Sequence, residues 1–240
     1  MLTIAAVLGV MLTVNLLNNR WAREHYLIVC LATSVLLVAI ARTRGLSYAD
    51  LGLARDTWAA GIFWSAVVTG VIVLGYAIAF ALPWTRKGFW DERAAEHNWR
   101  GLLYHGALRI PLGTATMEEI AFRGVLLAVL AAHFGLIWAV AISSLVFGFW
   151  HILPSLEFHA ASAMTDRLGD HRRAQLTSVL GTIVGTGVAG VGFCLLRIWT
   201  DSLLPCIAAH AALNGVGFVL SWSLAKWWRR REHEHAPGPA

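Results

Sequence analysis

The chain alternates long apolar runs with short polar stretches. The apolar runs cover roughly residues 2–17, 26–41, 58–83, 101–134, 136–153, 176–198 and 202–225. A helix that spans a bilayer needs about 20 mostly apolar residues, and these runs approach or exceed that length. The pattern predicts an all-α polytopic membrane helix bundle with seven or eight transmembrane helices. The fourth run is too long for one crossing, because at about 1.5 Å per residue it exceeds the roughly 30 Å hydrocarbon core. Pro111 and Gly113 offer a break within it. Residues 101–112 then either lie at the interface or form an eighth, short helix.

Composition supports the same class. Of 240 residues, 58% are hydrophobic and 14% charged, against about 25% charged in soluble domains. The net charge of +5 does not point to nucleic acid, because the basic residues lie mainly between and after the apolar runs, as in cytoplasmic loops of membrane proteins. With seven crossings and the C-terminus inside, the inner loops hold most of them, Arg20, Arg23, Arg86 and Lys87 included, and the outer loops hold only Arg42, Arg44 and Arg55. With eight crossings, the loops 42–57 and 84–100 change sides and the bias weakens, so the charge pattern favours seven. Both arrangements leave the basic tail in the cytoplasm, with Trp227 and Trp228 at the interface. The alanine- and arginine-rich composition suggests a GC-rich bacterium, hence the inner membrane.

Other features concern architecture. The start, Met1-Leu2-Thr3-Ile4, has no basic region before its apolar run, which suits a first membrane helix rather than a cleaved signal peptide. Cys30, Cys194 and Cys206 all lie in apolar runs without metal or disulfide spacing, so they read as small buried hydrophobes. Gly181 and Gly185 form a small-xxx-small pair for close helix packing. The chain divides into N-terminal helices (1–99), a core that carries the polar motifs (100–225) and a basic tail (226–240) whose end reads as disordered.

Three polar motifs interrupt this apolar background. The first is Glu118-Glu119-Ile120-Ala121-Phe122-Arg123. A charge at bilayer depth costs roughly 2.5–3.5 kcal/mol on insertion scales and is rare without a partner or a function. Glu119 and Arg123 are four apart, on one helix face, and can form an ion pair. That leaves Glu118, about 100° away and on the face of Phe122, free to meet a cavity. The second motif pairs Phe147 with His151, and the third pairs His210 with Asn214. A carboxylate, two imidazoles and an amide are the parts of a hydrolytic site. Glu118, helped by His151, would activate water, and His210 with Asn214 would hold the oxyanion. Phe122 and Phe147 read as cavity lining or core packing. His105 and His133 match no motif, and Arg109 reads as a snorkelling side chain or a ligand for a carboxylate or lipid headgroup.

The order Glu-Glu-x-x-x-Arg, Phe-x-x-x-His, His-x-x-x-Asn over residues 100–220 resembles the CAAX protease and bacteriocin-processing (CPBP) family of intramembrane endopeptidases, also called the Abi or type II CAAX prenyl endopeptidase group. The stretch Asp50-Leu51-Gly52-Leu53 also looks like that family. The resemblance implies Glu118 as catalytic carboxylate, His151 as its water-positioning partner, and His210 with Asn214 as oxyanion hole. It implies a membrane protein or lipidated peptide as partner, cut near a C-terminus or a leader, with no nucleic acid involved. Glu118, His151 and His210 are also the donor types of a zinc site, but the HExxH motif is absent and the resemblance implies a glutamate mechanism without metal. Glu118 and His151 fall in the inner half of the membrane in both topologies, so the site is expected to open to the cytoplasm. Two other classes remain as alternatives: a non-catalytic immunity or scaffold protein on the same fold, and a proton-coupled carrier.

Overall fold

A computed structural model describes residues 1–91, 94, 96–160 and 171–235. Seven long helical runs carry the architecture: α1 (Leu2–Leu16, continued by one wide turn to Trp21), α2 (Tyr26–Thr43), α3 (Trp58–Ala81), α4 (99–134), α5 (Leu136–Trp150), α6 (His171–Thr200) and α7 (Leu204–His235). Among the described residues no strand occurs. Among the described residues six stretches are long and apolar enough to cross a membrane: Leu2–Trp21, Arg23–Thr43, Arg55–Ala81, Leu136–Leu156, Gln175–Thr200 and Leu204–Arg231. This is a polytopic bundle of membrane helices.

The expected fourth span, 101–134, is not among those six. The run is helical throughout, but π-type turns occupy Tyr104–Ala115 and Ile120–Leu126 and flank a short α-helical piece, Thr116–Glu119. Pro111 lies inside the first of them and cannot donate its backbone nitrogen. Wide turns of this kind recur at functional sites, and here they bracket the paired glutamates.

α4 lies at the centre. It contacts α1, α2, α5 and α7, while α6 packs on α5 and α3 on α7. Residues 117 to 127 are all buried. The distribution of polarity is that of a protein folded in lipid: Glu118, Glu119, Arg123, Asn15, Asn18, Ser143, Ser144 and His210 are buried, while Ile28, Val35, Ile62, Val71, Val184 and Val188 face outwards. Such a surface would be a liability in water.

Two joints hold the helices in register. The α5–α6 crossing is close, since a Cβ on Gly148 would stand 2.6 Å from Ile183 O and one on Gly190 would stand 3.1 Å from Ser144 Cα. The expected packing pair, Gly181 and Gly185, is corrected by this geometry: a Cβ at either would meet nothing within 4 Å. The second joint is the loop 47–53. Gly52 adopts φ +71°, and a Cβ there would run into the Arg197 guanidinium. Its carbonyl accepts from Leu203 N at 2.9 Å, and Arg197 Nη2 donates to Ala49 O and Asp50 O at 3.0 and 3.1 Å. Leu51 is fully buried. The Asp50-Leu51-Gly52-Leu53 stretch therefore pins the α6–α7 turn.

The three cysteines are buried free thiols, as expected. The last helix runs to His235, so the first ten residues of the expected tail are helical. The rest of that tail, residues 236–240, lies outside the described residues.

Candidate active site

Glu118 and Glu119 are adjacent on α4 and meet different neighbours. Glu119 Oε1 accepts from Arg123 Nη1 at 3.1 Å, with both side chains fully buried. The same oxygen accepts from His210 Nδ1 at 2.7 Å. The spacing predicts the pair with Arg123; the bond to α7 is additional. Arg123 is also enclosed by rings, its Cζ 4.0 Å from the centroid of Phe147 and 4.8 Å from that of Phe193. Desolvated contacts of this kind contribute about 2 kcal/mol each, which helps to explain how a guanidinium with unbonded Nε and Nη2 is tolerated here.

Glu118 makes one hydrogen bond, accepting at Oε1 from Trp150 Nε1 at 3.0 Å. Its other oxygen, Oε2, is buried and has no hydrogen-bond partner among the described residues. It faces His210 Nε2 at 3.8 Å and His151 Nε2 at 4.0 Å. Two helices thus bring an imidazole each to the free oxygen of a carboxylate on a third.

The tautomers follow from the outer partners. His151 Nδ1 lies 2.8 Å from Phe147 O. A carbonyl only accepts, so Nδ1 carries a proton, and in the neutral ring Nε2 then presents a lone pair towards Glu118. His210 Nδ1 donates to the Glu119 carboxylate, and in the imidazolium form its Nε2 carries a second proton. A water between Glu118 Oε2 and His151 Nε2 would donate one hydrogen to each and keep a lone pair on its own oxygen for attack. A separation near 4 Å suits such a bridge.

Phe122 and Phe147 form the packed wall beside these groups. Their rings meet edge to face at 4.9 Å, Phe122 meets Trp150 at 5.5 Å, and Phe147 meets His151 at 4.6 Å. Ser143 of α5 donates to Phe122 O at 3.1 Å, fixing α4 against α5. Asn214 stands apart. It is exposed, one turn beyond His210 on α7, and the structure brings its amide to none of the other motif residues. Trp150 enters the site, and Asn15 stands behind it on α1, donating from Nδ2 to Trp150 O; neither is singled out by the sequence. The available signals were a tryptophan beside a motif histidine and an amide in an apolar run.

Glu118, His151 and His210 have the donor types of a zinc site. Their 3.8 and 4.0 Å separations are wider than the roughly 3.3 Å between ligand atoms around tetrahedral zinc, and among the described residues no group of three is arranged to hold a metal ion. The residues as placed do not fit that ion. An apolar groove of about 430 Å³ runs between α4 and α7, lined by Leu102, Gly106, Ala211, Gly215 and Val219 among others.

The model of the family described as Type II CAAX prenyl endopeptidase Rce1-like matches residues 96–216. A probable multidrug resistance protein NorM of Chromobacterium violaceum is 26% identical over 181 residues, 71% of this chain and 37% of that protein. The chain thus spans little more than a third of that curated relative. No solved structure matches.

Proposed function

Because this chain belongs to the Type II CAAX prenyl endopeptidase Rce1-like family, we propose that it is an intramembrane endopeptidase in which Glu118 activates water. The observation that carries this reading is the orphaned Oε2 of Glu118 between two imidazole nitrogens. Glu118 Oε2 takes one proton from the water as its oxygen attacks the substrate carbonyl. His151 Nε2 accepts the other hydrogen bond and holds the water in line. The tetrahedral oxyanion forms beside His210, which in its doubly protonated form donates from Nε2 while Nδ1 stays bonded to Glu119. Asn214 supplies a second donor once substrate is bound. Glu118 then passes its proton to the leaving amine, and the amide bond breaks.

The substrate is a peptide segment presented at the membrane, near a C-terminus or in a leader. The groove between α4 and α7 would take an apolar part of it, a lipid chain included. No step runs through a metal. The protein sits in a bacterial inner membrane with its C-terminus in the cytoplasm, in keeping with the basic residues at that end. The test is cleavage by purified protein in detergent of lipidated and unlipidated C-terminal peptides, with and without chelator, beside Glu118→Gln. Cleavage that resists chelator and is lost in a folded Glu118→Gln protein is the expected result. An active Glu118→Gln protein overturns the mechanism, and cleavage restored only by zinc converts Glu118, His151 and His210 into ligands.

The likeness to a multidrug resistance protein supports a second reading, a carrier in which the same groups relay protons. Proton-coupled solute uptake in vesicles, without peptide cleavage, would favour it.

A further inference from the structure

The C-terminal turn of α5 is held from both sides of the site. Helices leave their last carbonyls without partners in the helix, and here side chains take two of them. His151 Nδ1 donates to Phe147 O at 2.8 Å, and Asn15 Nδ2, from α1, donates to Trp150 O at 3.0 Å. Asn15 is buried, in a run otherwise apolar enough to span the membrane. Trp150 then turns its indole back to Glu118, donating from Nε1 to Oε1 at 3.0 Å, while its ring packs against Phe122. A chain of two hydrogen bonds thus leads from α1, outside the family match at 96–216, to the proposed catalytic carboxylate.

A carboxylate with one oxygen bonded and one free has a fixed orientation. The indole takes Oε1, so Oε2 is the oxygen left facing His151 and His210. Without that bond the carboxylate can rotate about its terminal torsion, which is broad and weakly restrained. Either oxygen would then point at the imidazoles only part of the time.

We propose that Trp150 is a positioning residue for Glu118, and that Asn15 of the first helix holds it in place. This rests on Glu118 being the base, so one arm of the test does not need turnover. Trp150→Phe keeps an apolar ring and removes the donor, and the benzothiophene analogue of tryptophan at position 150 removes the N–H at nearly constant shape. Asn15→Leu removes the outer bond. The first readout is labelling of Glu118 by a hydrophobic carbodiimide, followed by mass spectrometry. Such reagents add to a carboxyl oxygen, and the indole N–H holds and covers one of the two. Labelling at neutral pH is expected to rise at least threefold in both position-150 variants, and in the same direction but less in Asn15→Leu. The second readout is cleavage of a peptide that the wild-type protein cuts. There kcat is expected to fall roughly tenfold to hundredfold with KM little changed, the range for a hydrogen bond to a charged group. The Asn15→Leu and Trp150→Phe effects should be less than additive, since one acts through the other.

Labelling and kcat both unchanged in the benzothiophene variant would overturn the proposal. A rise in KM alone would also overturn it, by making Trp150 a substrate contact. Full additivity would remove Asn15 from the chain. If the wild-type protein cuts no peptide, the protease reading fails while the labelling arm still decides whether Trp150 fixes Glu118.

Discussion

At the scale of single residues, the two adjacent glutamates divide their work by what each oxygen touches. Glu119 satisfies Arg123 and His210 with one oxygen, so its loss strands a buried guanidinium. Glu119→Ala is expected to destabilise the protein by roughly 3–5 kcal/mol, the usual effect of removing one partner from a buried pair, read as an earlier melting transition in detergent. Glu118→Gln, in contrast, should leave the melt nearly unchanged and abolish cleavage. His210→Ala is expected to lower turnover by about 10²–10³, the typical loss for an oxyanion donor. Equal loss in Asn214→Ala would mean that its exposed amide turns inwards on substrate binding, and unchanged turnover would remove it from the site. The Glu119–Arg123 pair could be read from spacing because both ends lie on one helix. The bond from Glu119 to His210 spans 91 residues, and no local pattern announces it. Asn15 did leave a trace in the sequence, since a buried amide in an apolar helix needs a partner, but nothing in the chain says that the partner is the Trp150 carbonyl.

At the scale of elements, hydropathy finds the helices but not their contacts. Five of the seven apolar runs coincide closely with helices, and the last helix extends ten residues beyond its run. The fourth run differs because the sum of its apolar residues conceals the wide turns on either side of the glutamates. The glycine pair at 181 and 185 was a reasonable candidate for close packing, but glycine spacing alone does not say which face of α6 meets α5. The contact falls at Gly148 and Gly190 instead. Accordingly, Gly148→Leu should destabilise the bundle by at least the 1–3 kcal/mol typical of overpacking, whereas Gly181→Ala and Gly185→Ala should be neutral or slightly stabilising; thermal melts of the three variants decide this. In the loop that pins α6 to α7, the Ser47 hydroxyl and backbone N–H hold the Asp50 carboxyl below the usual carboxylate range. A depressed carboxyl contributes stability above its unfolded value near pH 4 and loses it as pH falls through its folded value. Asp50→Ala should therefore melt earlier than wild type at pH 7 and converge with it in strong acid.

At the scale of the whole molecule, the buried charges bear on the order in which the protein can be built. α4 brings Arg109, Glu118, Glu119 and Arg123 into the bundle, and three of these side chains are almost wholly buried. Alone in lipid, that trio would be unfavourable by on the order of 10 kcal/mol. The Glu119–Arg123 pair offsets part of this within α4, and the other groups that relieve it arrive later on the ribosome: Phe147, Trp150 and His151 with α5, Phe193 with α6, His210 with α7. α4 is thus expected to wait, outside the lipid or beside the insertion machinery, until the C-terminal helices emerge. A chain truncated after residue 135 should fail to insert α4 stably, whereas one truncated after residue 225 should insert it. Glycosylation sites placed in the flanking loops would report the difference. The half-made protein then holds no assembled site, and the residues proposed for hydrolysis come together only when synthesis is nearly finished.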